Sequence, residues 1–484
     1  MNVMDLRPVL YVNGLFLFIL AISMNFPMLV DLYFGNDDWI VFFICIIVTA
    51  FFGGALAFTN APSGGFTVNI RQGFMLTVMS WVSLCIFAAI PFWLSGLDIS
   101  FVDAVFEATS GITTTGSTVM TGLDYAPPGI LMWRAILQWL GGIGIIVMAL
   151  SVLPFLKVGG MQLFKAESFE VEKVSPRARQ IATAIAVFYV VFTILCALSY
   201  NAVGMTVFDS VAHALTTIST GGFSTYDTSF AHYDTAHKEI VAIVFMLLGG
   251  IPFILYFQSV TGRPLALFKD SQVRGYLSIL AISALVISIY LSTTLDMEYI
   301  RALRLAVFNS VSLMTGTGFA SGDYTQWGGF AGAIFFFLMV VGGCAGSTSC
   351  GIKVFRFQIL FSITLVQFQK LIHPNGVFCT RYNGRPIPTE VLTSVMSFFF
   401  LYALSFSFIT IALSFTGLDF ITAMSGAATS ISNVGPGLGE FIGPSGSFAT
   451  LPDSAKWILS FGMILGRLEL FTLLVLFVPQ FWRK

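Results

Sequence analysis

Four segments of this chain can be laid on one another without a gap. They read DAVFEATSGITTTGSTV from Asp103, DSVAHALTTISTGGFST from Asp209, LAVFNSVSLMTGTGFAS from Leu305 and TAMSGAATSISNVGPGL from Thr422. Each places glycine at its fourteenth position, at Gly116, Gly222, Gly318 and Gly435, which lie 106, 96 and 117 residues apart. Each begins like a helix and ends in small or hydroxyl-bearing residues. Self-similarity at a period near a hundred residues marks a repeated structural unit. Any fold for this chain must therefore use one local arrangement four times.

The surroundings of these segments define their solvent. Of 484 residues, 56% are hydrophobic and only 10% charged, against about 25% charged in soluble domains. Apolar runs long enough to cross a bilayer occur near 9–30, 39–58, 73–96, 129–156, 181–203, 238–260, 275–295, 328–370, 390–416 and 455–481. The first follows Arg7, is too long for a signal peptide and lacks a small-x-small cleavage site, so it reads as a retained span. Ten spans put both termini on one side. Lysine and arginine gather on that side, at Arg7, Arg71, the loop 157–179, Arg263, Lys269, Arg274, Lys353, Arg356, Lys370, Arg381, Arg385, Arg483 and Lys484. The opposite loops carry mainly acids, among them Asp31, Asp98, Asp124, Asp227 and Asp323. The positive-inside rule places both termini in the cytoplasm.

The four segments fall between pairs of spans, always outside, and are too brief to cross. The expected fold is an all-α polytopic membrane protein. Two N-terminal helices (1–60) precede four span–re-entrant pore loop–span repeats around one central pore, at 61–160, 161–262, 263–372 and 373–484. A half-helix entering from outside aims its negative end at the membrane centre, which favours a cation. The extended residues after it can turn carbonyl oxygens toward a common axis, and glycine permits the φ values that this needs. The candidate filter residues are Thr113, Thr114, Thr115 and Gly116; Ser219, Thr220, Gly221 and Gly222; Thr315, Gly316, Thr317 and Gly318; and Ser432, Asn433, Val434 and Gly435. All are neutral, so carbonyl dipoles would select, as in potassium filters. Calcium or magnesium would call for carboxylates.

The span at 328–370 is interrupted by VVGGCAGSTSCGIKVFR, from Val340 to Arg356. A lipid-facing break would leave backbone groups unpaired at several kcal/mol each, so the break must lie inside protein or beside water. It reads as a gate loop over 342–353, with Gly342, Gly343, Gly346, Ser347, Thr348, Ser349, Gly351 and Lys353 as its candidate residues. Arg467 lies deep within the last span, where a guanidinium faces a cavity or a partner. Glu469, two residues on, points elsewhere around a continuous helix. Glu107, His213 and Asn309 occupy equivalent positions in three of the short helices, with Gly426 in the fourth; they either bond the back of the filter or cap local packing. Gly141, Gly142 and Gly144 read as helix-packing contacts.

Other chemistries lack their residues. The six cysteines and four histidines form no metal spacing, no triad or phosphate loop is present, and a net charge of −1 argues against nucleic acid. The alternative is a secondary solute/cation symporter with broken helices. Inverted repeats would mark that class, whereas these four run the same way.

Longer strings add a resemblance. QWLGGIGIIVMALSVLPFLKVGGMQLFKAE from Gln138, GGCAGST from Gly342, NVGPGLG from Asn433 and GRLELFTLLVLF from Gly466 are similar to the Trk/Ktr/HKT superfamily of potassium transporters, and within it to the bacterial Trk uptake subunits. The likeness covers nearly the whole chain. It implies potassium uptake across the bacterial inner membrane, K+ as the transported ion, no organic cofactor, and coupling to protons left open. It also implies a homodimer and a cytosolic regulatory subunit with nucleotide-binding domains. In the family the segment matching 342–353 obstructs the pore, and the arginine matching Arg467 bonds it. Two departures stand out. The family's GSTGGG is GSTSCG here, with Ser349 and Cys350 replacing glycines, and the third filter carries Gly316 where a hydroxyl residue is expected.

Overall fold

The computed structural model describes residues 5–62, 69–151 and 174–483. Lys157, Lys165 and Lys173 of the basic loop, and the expected unit boundary at 160/161, lie outside the described residues. The chain is almost entirely helical; a hairpin pairing Arg381–Tyr382 with Arg385–Pro386 is the only named pair of strands among those residues.

Seven described helices are long and apolar enough to cross a membrane, or nine if each of two bent pairs counts as one span. The seven are Arg7–Phe34, which a turn at Met24 divides, Trp39–Thr59, Ile70–Leu94, Pro128–Ile146, Ala182–Ala202, Ser271–Thr294 and Thr389–Phe415. The expected run 328–370 is two helices, Gly329–Val340 and Val354–Ile372, on either side of the small-residue break.

Two runs read as continuous are in fact bent. Ala236–Gly249 and Phe253–Val260 meet at 87°, where Gly249, Gly250 and Pro252 weaken the helix and Pro252 offers no N–H. Asp453–Arg467 and Phe471–Phe477 meet at 107°. That bend has no proline, and it is made by Glu469 (φ 62°) and Leu470 (φ 42°), both left-handed. Such backbone costs about 1–3 kcal/mol per residue, and tertiary contacts must hold it. One of them is a 2.5 Å ion pair from buried Arg356 to Glu469. Glu469 pairs with Arg356 and not with Arg467, and the helix has already ended before it.

Four short helices sit between the long ones: Phe101–Ile112, Val207–Ile218, Tyr299–Thr315 and Phe420–Ser432. Three of their starts are held by local side-chain caps. Ser100 accepts from the Asp103 N–H and donates to its carboxylate, and Thr206 does the same with Asp209, at 3.1 and 2.7 Å in both cases. Asp419 accepts from the N–H groups of Ile421 and Thr422. With the Thr422 hydroxyl also bonding it, this capping holds the Asp419 carboxyl below its usual range. Side-chain caps of this kind satisfy N–H groups that the helix itself leaves orphaned.

Glycines set how closely the long helices approach. A Cβ on Gly14 would lie 2.6 Å from the Gly53 carbonyl oxygen, so the first two spans pack backbone to backbone. A Cβ on Gly141 would lie 1.9 Å from the Ile112 oxygen, and one on Gly466 1.9 Å from the Ile431 oxygen. Each of these glycines lets a following span slide under the end of its own short helix. Gly142 packs on Ser219 and the Tyr189 hydroxyl, while Gly144 makes no such close approach.

The helix Asp453–Arg467 and the first short helix are joined by charge. Lys456, 4% exposed, donates to Asp103 at 2.5 Å. Removing one member strands the other, with a penalty between those of exposed and buried pairs. Lys456→Met should lower stability by about 2 kcal/mol, read as a drop in melting temperature in detergent. Adding Asp103→Asn, which can still accept from Ser100, should recover most of the loss.

Candidate functional site

The ends of the four short helices share one backbone. At the second candidate filter position φ is left-handed in every case: Thr114 52°, Thr220 51°, Gly316 78° and Asn433 52°. At the glycine two residues on it is again positive: Gly116 87°, Gly222 78°, Gly318 78° and Gly435 106°. The third-position N–H reaches back to the helix each time, from Thr115 to Ser110, Gly221 to Thr216, Thr317 to Ser312 and Val434 to Thr429, at 2.8–3.2 Å. Gly316 is thus the least strained residue at a position where threonine and asparagine elsewhere tolerate αL.

The four glycines also report how the segments meet. A Cβ on Gly116 would lie 2.3 Å from the carbonyl oxygen of Gly221; on Gly222, 1.6 Å from that of Thr317; on Gly318, 2.1 Å from that of Val434; and on Gly435, 2.9 Å from that of Thr115. The order is cyclic, first to second to third to fourth and back to the first. Four carbonyls therefore converge in a ring, with each glycine against its neighbour's oxygen. The preceding filter positions are fully buried, while Gly116, Gly222 and Gly318 keep partial exposure.

Behind this ring the polar residues of the short helices bond the returning chain. Glu107 accepts from the Val119 N–H at 2.9 Å and the Thr118 hydroxyl. His213 meets the Ser224 hydroxyl at 3.0 Å, and Asn309 donates to that of Ser321 at 3.0 Å. Each of these bonds is to a residue two to three positions after the ring-forming glycine. In the fourth segment Gly426 has no side chain, and Ser425 takes the part by bonding both the N–H and the carbonyl of Leu438. Sequence reading missed Ser425, together with Arg134 and Gln138, which reach the second segment from the span Pro128–Ser151. The available signal was a pair of buried polar residues four apart in an apolar helix.

The interrupted span folds directly against the inner side of these ends. Two backbone bonds close the base of the loop: the Gly342 N–H donates to the Ile352 carbonyl, and the Ile352 N–H donates to the Val340 carbonyl. The Thr348 hydroxyl lies 3.0 Å from the carbonyls of both Ile218 and Gly249. The Gly351 N–H donates to Ser432 at 2.9 Å. Cys350 sulfur lies 3.5 Å from the Thr114 hydroxyl, and a Cβ on Gly316 would lie 3.1 Å from the Cβ of Cys350. One loop thus touches all four ends.

Its polar groups find partners inside the protein. The Gly343 N–H donates to the Ser349 hydroxyl, the Ser347 hydroxyl to the Cys344 carbonyl, and the Lys353 ammonium to the Ser349 carbonyl. Gly346 and Gly351 alone in the loop have positive φ among the described residues. Ser349 and Cys350 therefore occupy positions where glycine's freedom is not required. The two departures also fit each other, since Gly316 leaves the room that Cys350 fills.

Arg467, 3% exposed, donates to Cys350 sulfur at 2.8 Å and to the Gly141 carbonyl at 3.0 Å. Its bond to the loop is to the Cys350 side chain; the carbonyl it reaches is that of Gly141, outside the loop. Cys350 is correspondingly not the inert apolar filler that cysteine usually is in such runs.

A family described as TrkH, cation transport protein, matches residues 39–484. The chain belongs to this family. It is 44% identical over 481 residues to the Trk system potassium uptake protein TrkI of Halomonas elongata, covering 99% of this chain and 97% of the relative. It is 35% identical to the Escherichia coli K12 Trk system potassium uptake protein TrkH, covering 99% and 100%. The crystal structure of the potassium transporter TrkH from Vibrio parahaemolyticus superposes with a TM-score of 0.92 at 35% identity, covering 99% and 100%. TrkH family members are multi-pass membrane transport proteins rather than enzymes, in keeping with the apolar helices described above.

The Arg467–Cys350 contact can be tested by hydrogen exchange. Arg467→Ala should speed deuterium exchange at the loop's buried backbone N–H groups, those of Gly343, Thr348 and Gly351, about tenfold, as expected when a charge-assisted bond is lost. Mass spectrometry of the labelled peptide reads the rate.

Proposed function

We propose that this chain is the ion-conducting subunit of a Trk-type system that takes up potassium across the bacterial inner membrane. The observation that carries the proposal is the closed cycle of four glycines against four neighbouring carbonyls. A ring of neutral backbone oxygens can replace the water shell of a weakly hydrated monovalent cation, and the four short helices add their negative ends beneath it. The names of the matched relatives, all potassium uptake proteins, point the same way.

On this reading the residues 113–116, 219–222, 315–318 and 432–435 form the filter, one from each of four repeats within 61–160, 161–262, 263–372 and 373–484. The loop 342–353 is the gate, latched by Arg467 through Cys350 and by Thr348 and Gly351 on two of the helix ends. Opening requires these few bonds to break together. Each contributes about 0.5–3 kcal/mol, so a modest binding energy delivered from below can shift the balance. The exposed Arg263, Lys269, Arg274, Lys370, Arg381 and Arg385 form a basic inner face, and both termini lie on that cytoplasmic side. A cytosolic subunit with nucleotide-binding domains docks there, and two copies of this chain associate; both features rest on family likeness.

The filter reading predicts an order of severity. Alanine at Gly222, Gly318, Gly116 and Gly435 meets the neighbouring oxygen at 1.6, 2.1, 2.3 and 2.9 Å. Potassium flux per folded molecule in proteoliposomes should fall most for Gly222→Ala and least for Gly435→Ala. Sodium should gain relative to potassium in the variants that still conduct. Wild-type flux and ion preference in all four would overturn the filter. For the gate, deleting 346–348 should raise basal flux and leave ion preference unchanged; a folded variant that conducts no faster than wild type would refute it.

A further inference from the structure

The ring of carbonyls is not symmetric. Among the described residues the carbonyls of Thr115, Thr317 and Val434 accept no hydrogen bond, but that of Gly221 accepts one at 2.6 Å from Nε2 of Gln138. Gln138 is fully buried. Its other end is also occupied, since Oε1 accepts from the Phe223 N–H at 3.0 Å. An amide held at both ends can neither flip nor rotate. One turn earlier on the same helix, Arg134 donates to the Ser224 carbonyl at 2.8 Å while paired with Glu107. The span Pro128–Ser151 therefore clamps three successive parts of the second segment.

The sequence of that segment explains why a clamp is needed. In the first and third segments a threonine precedes the glycine, and its hydroxyl meets that of the threonine two residues earlier: Thr113 with Thr115 at 2.7 Å, and Thr315 with Thr317 at 2.8 Å. The second segment has Gly221 there, with no side chain to brace it. A side chain could not be accommodated, because a Cβ on Gly221 would lie 2.4 Å from Cδ of Gln138. Gly221 has no positive φ, so glycine is present for space and not for backbone freedom. Gln138 occupies the volume and supplies the brace from outside.

We propose that Gln138 is a positioning residue for ion discrimination, acting through the Gly221 carbonyl. This rests on the filter reading above. Selection among monovalent cations depends on how many carbonyl dipoles face the ion and on how far they can close around a smaller one. The bond from Gln138 takes one lone pair of the Gly221 oxygen and draws the oxygen outward. It resists the inward movement that sodium or lithium requires, and it leaves the second lone pair for a larger ion.

The test is cation flux through purified full-length protein in proteoliposomes, comparing potassium, rubidium, sodium and lithium per folded molecule. Gln138→Ala should raise sodium flux relative to potassium about tenfold, the scale of one lost buried hydrogen bond, with potassium flux changed far less. Gln138→Glu should behave similarly, because a carboxylate can accept from Phe223 but cannot donate to Gly221. Gly221→Thr alone should impair folding or flux through its clash with Gln138. The double variant Gln138→Ala with Gly221→Thr gives the second segment a hydroxyl pair like those of the first and third, between Ser219 and the introduced threonine. It should restore potassium preference. A folded Gln138→Ala protein with wild-type ion preference would overturn the proposal, as would a double variant no more selective than Gln138→Ala. The glycine series separates the two levels. If Gly222→Ala and Gly318→Ala change ion preference while Gln138→Ala does not, the filter stands and the role of Gln138 falls; if none of them does, the filter falls as well.

Discussion

Everything at the centre of this molecule depends on four backbone contacts in which a glycine lies against the carbonyl of the next segment. These contacts leave no room for a Cβ, and at Gly222 it would sit 1.6 Å from an oxygen. Four carbonyl dipoles facing one axis repel each other, and lipid offers nothing to hold them. The rest of the fold supplies that restraint. Short helices, three of them held by side-chain caps, deliver the segments, buried side chains behind them bond the returning chain, and glycines in the long helices let the packing close.

The restraint is achieved four times with four different sets of residues. Glu107, His213, Asn309 and Ser425 each bond the chain that follows the ring-forming glycine, using a carboxylate, an imidazole, an amide and a hydroxyl. Threonine pairs brace two segments, Gln138 braces another, and Asn433 in the fourth spans to Thr115 and Met463 at 2.9 Å. One geometry is preserved while its chemistry diverges, because the geometry needs only a donor or acceptor at the right point and not a particular residue.

Beneath the ring lies the least regular part of the molecule. The loop 342–353, the bend at Gly249–Pro252 and the bend at Glu469–Leu470 all break helices near the four ends; Thr348 ties the loop to Gly249, Arg467 ties it to the last bent helix, and Arg356 just after the loop pairs with Glu469. Irregular backbone at this depth is tolerable only where protein or water satisfies it. Here it is satisfied by a few specific bonds, as the proposed gate requires. A continuous helix in the same place would need many bonds broken at once.

Much of this was legible in the sequence, and for identifiable reasons. Transmembrane helices announce themselves by length and apolarity, because each must satisfy its own backbone within one segment. The four-fold register was visible because left-handed backbone and close approach both select glycine, so Gly116, Gly222, Gly318 and Gly435 stood in line. The small-residue break at 342–353 was visible for a similar reason. Sequence could not decide what depends on residues hundreds of positions apart. The bend at Glu469 carries no glycine or proline and is held by Arg356; Cys350 is an ordinary buried cysteine until Arg467 reaches it; and Gly221 reads as one more flexible glycine until Gln138 is seen filling its space. Local periodicity records the demands of a segment's own backbone and solvent. The partner of a buried side chain is set only when the helices pack.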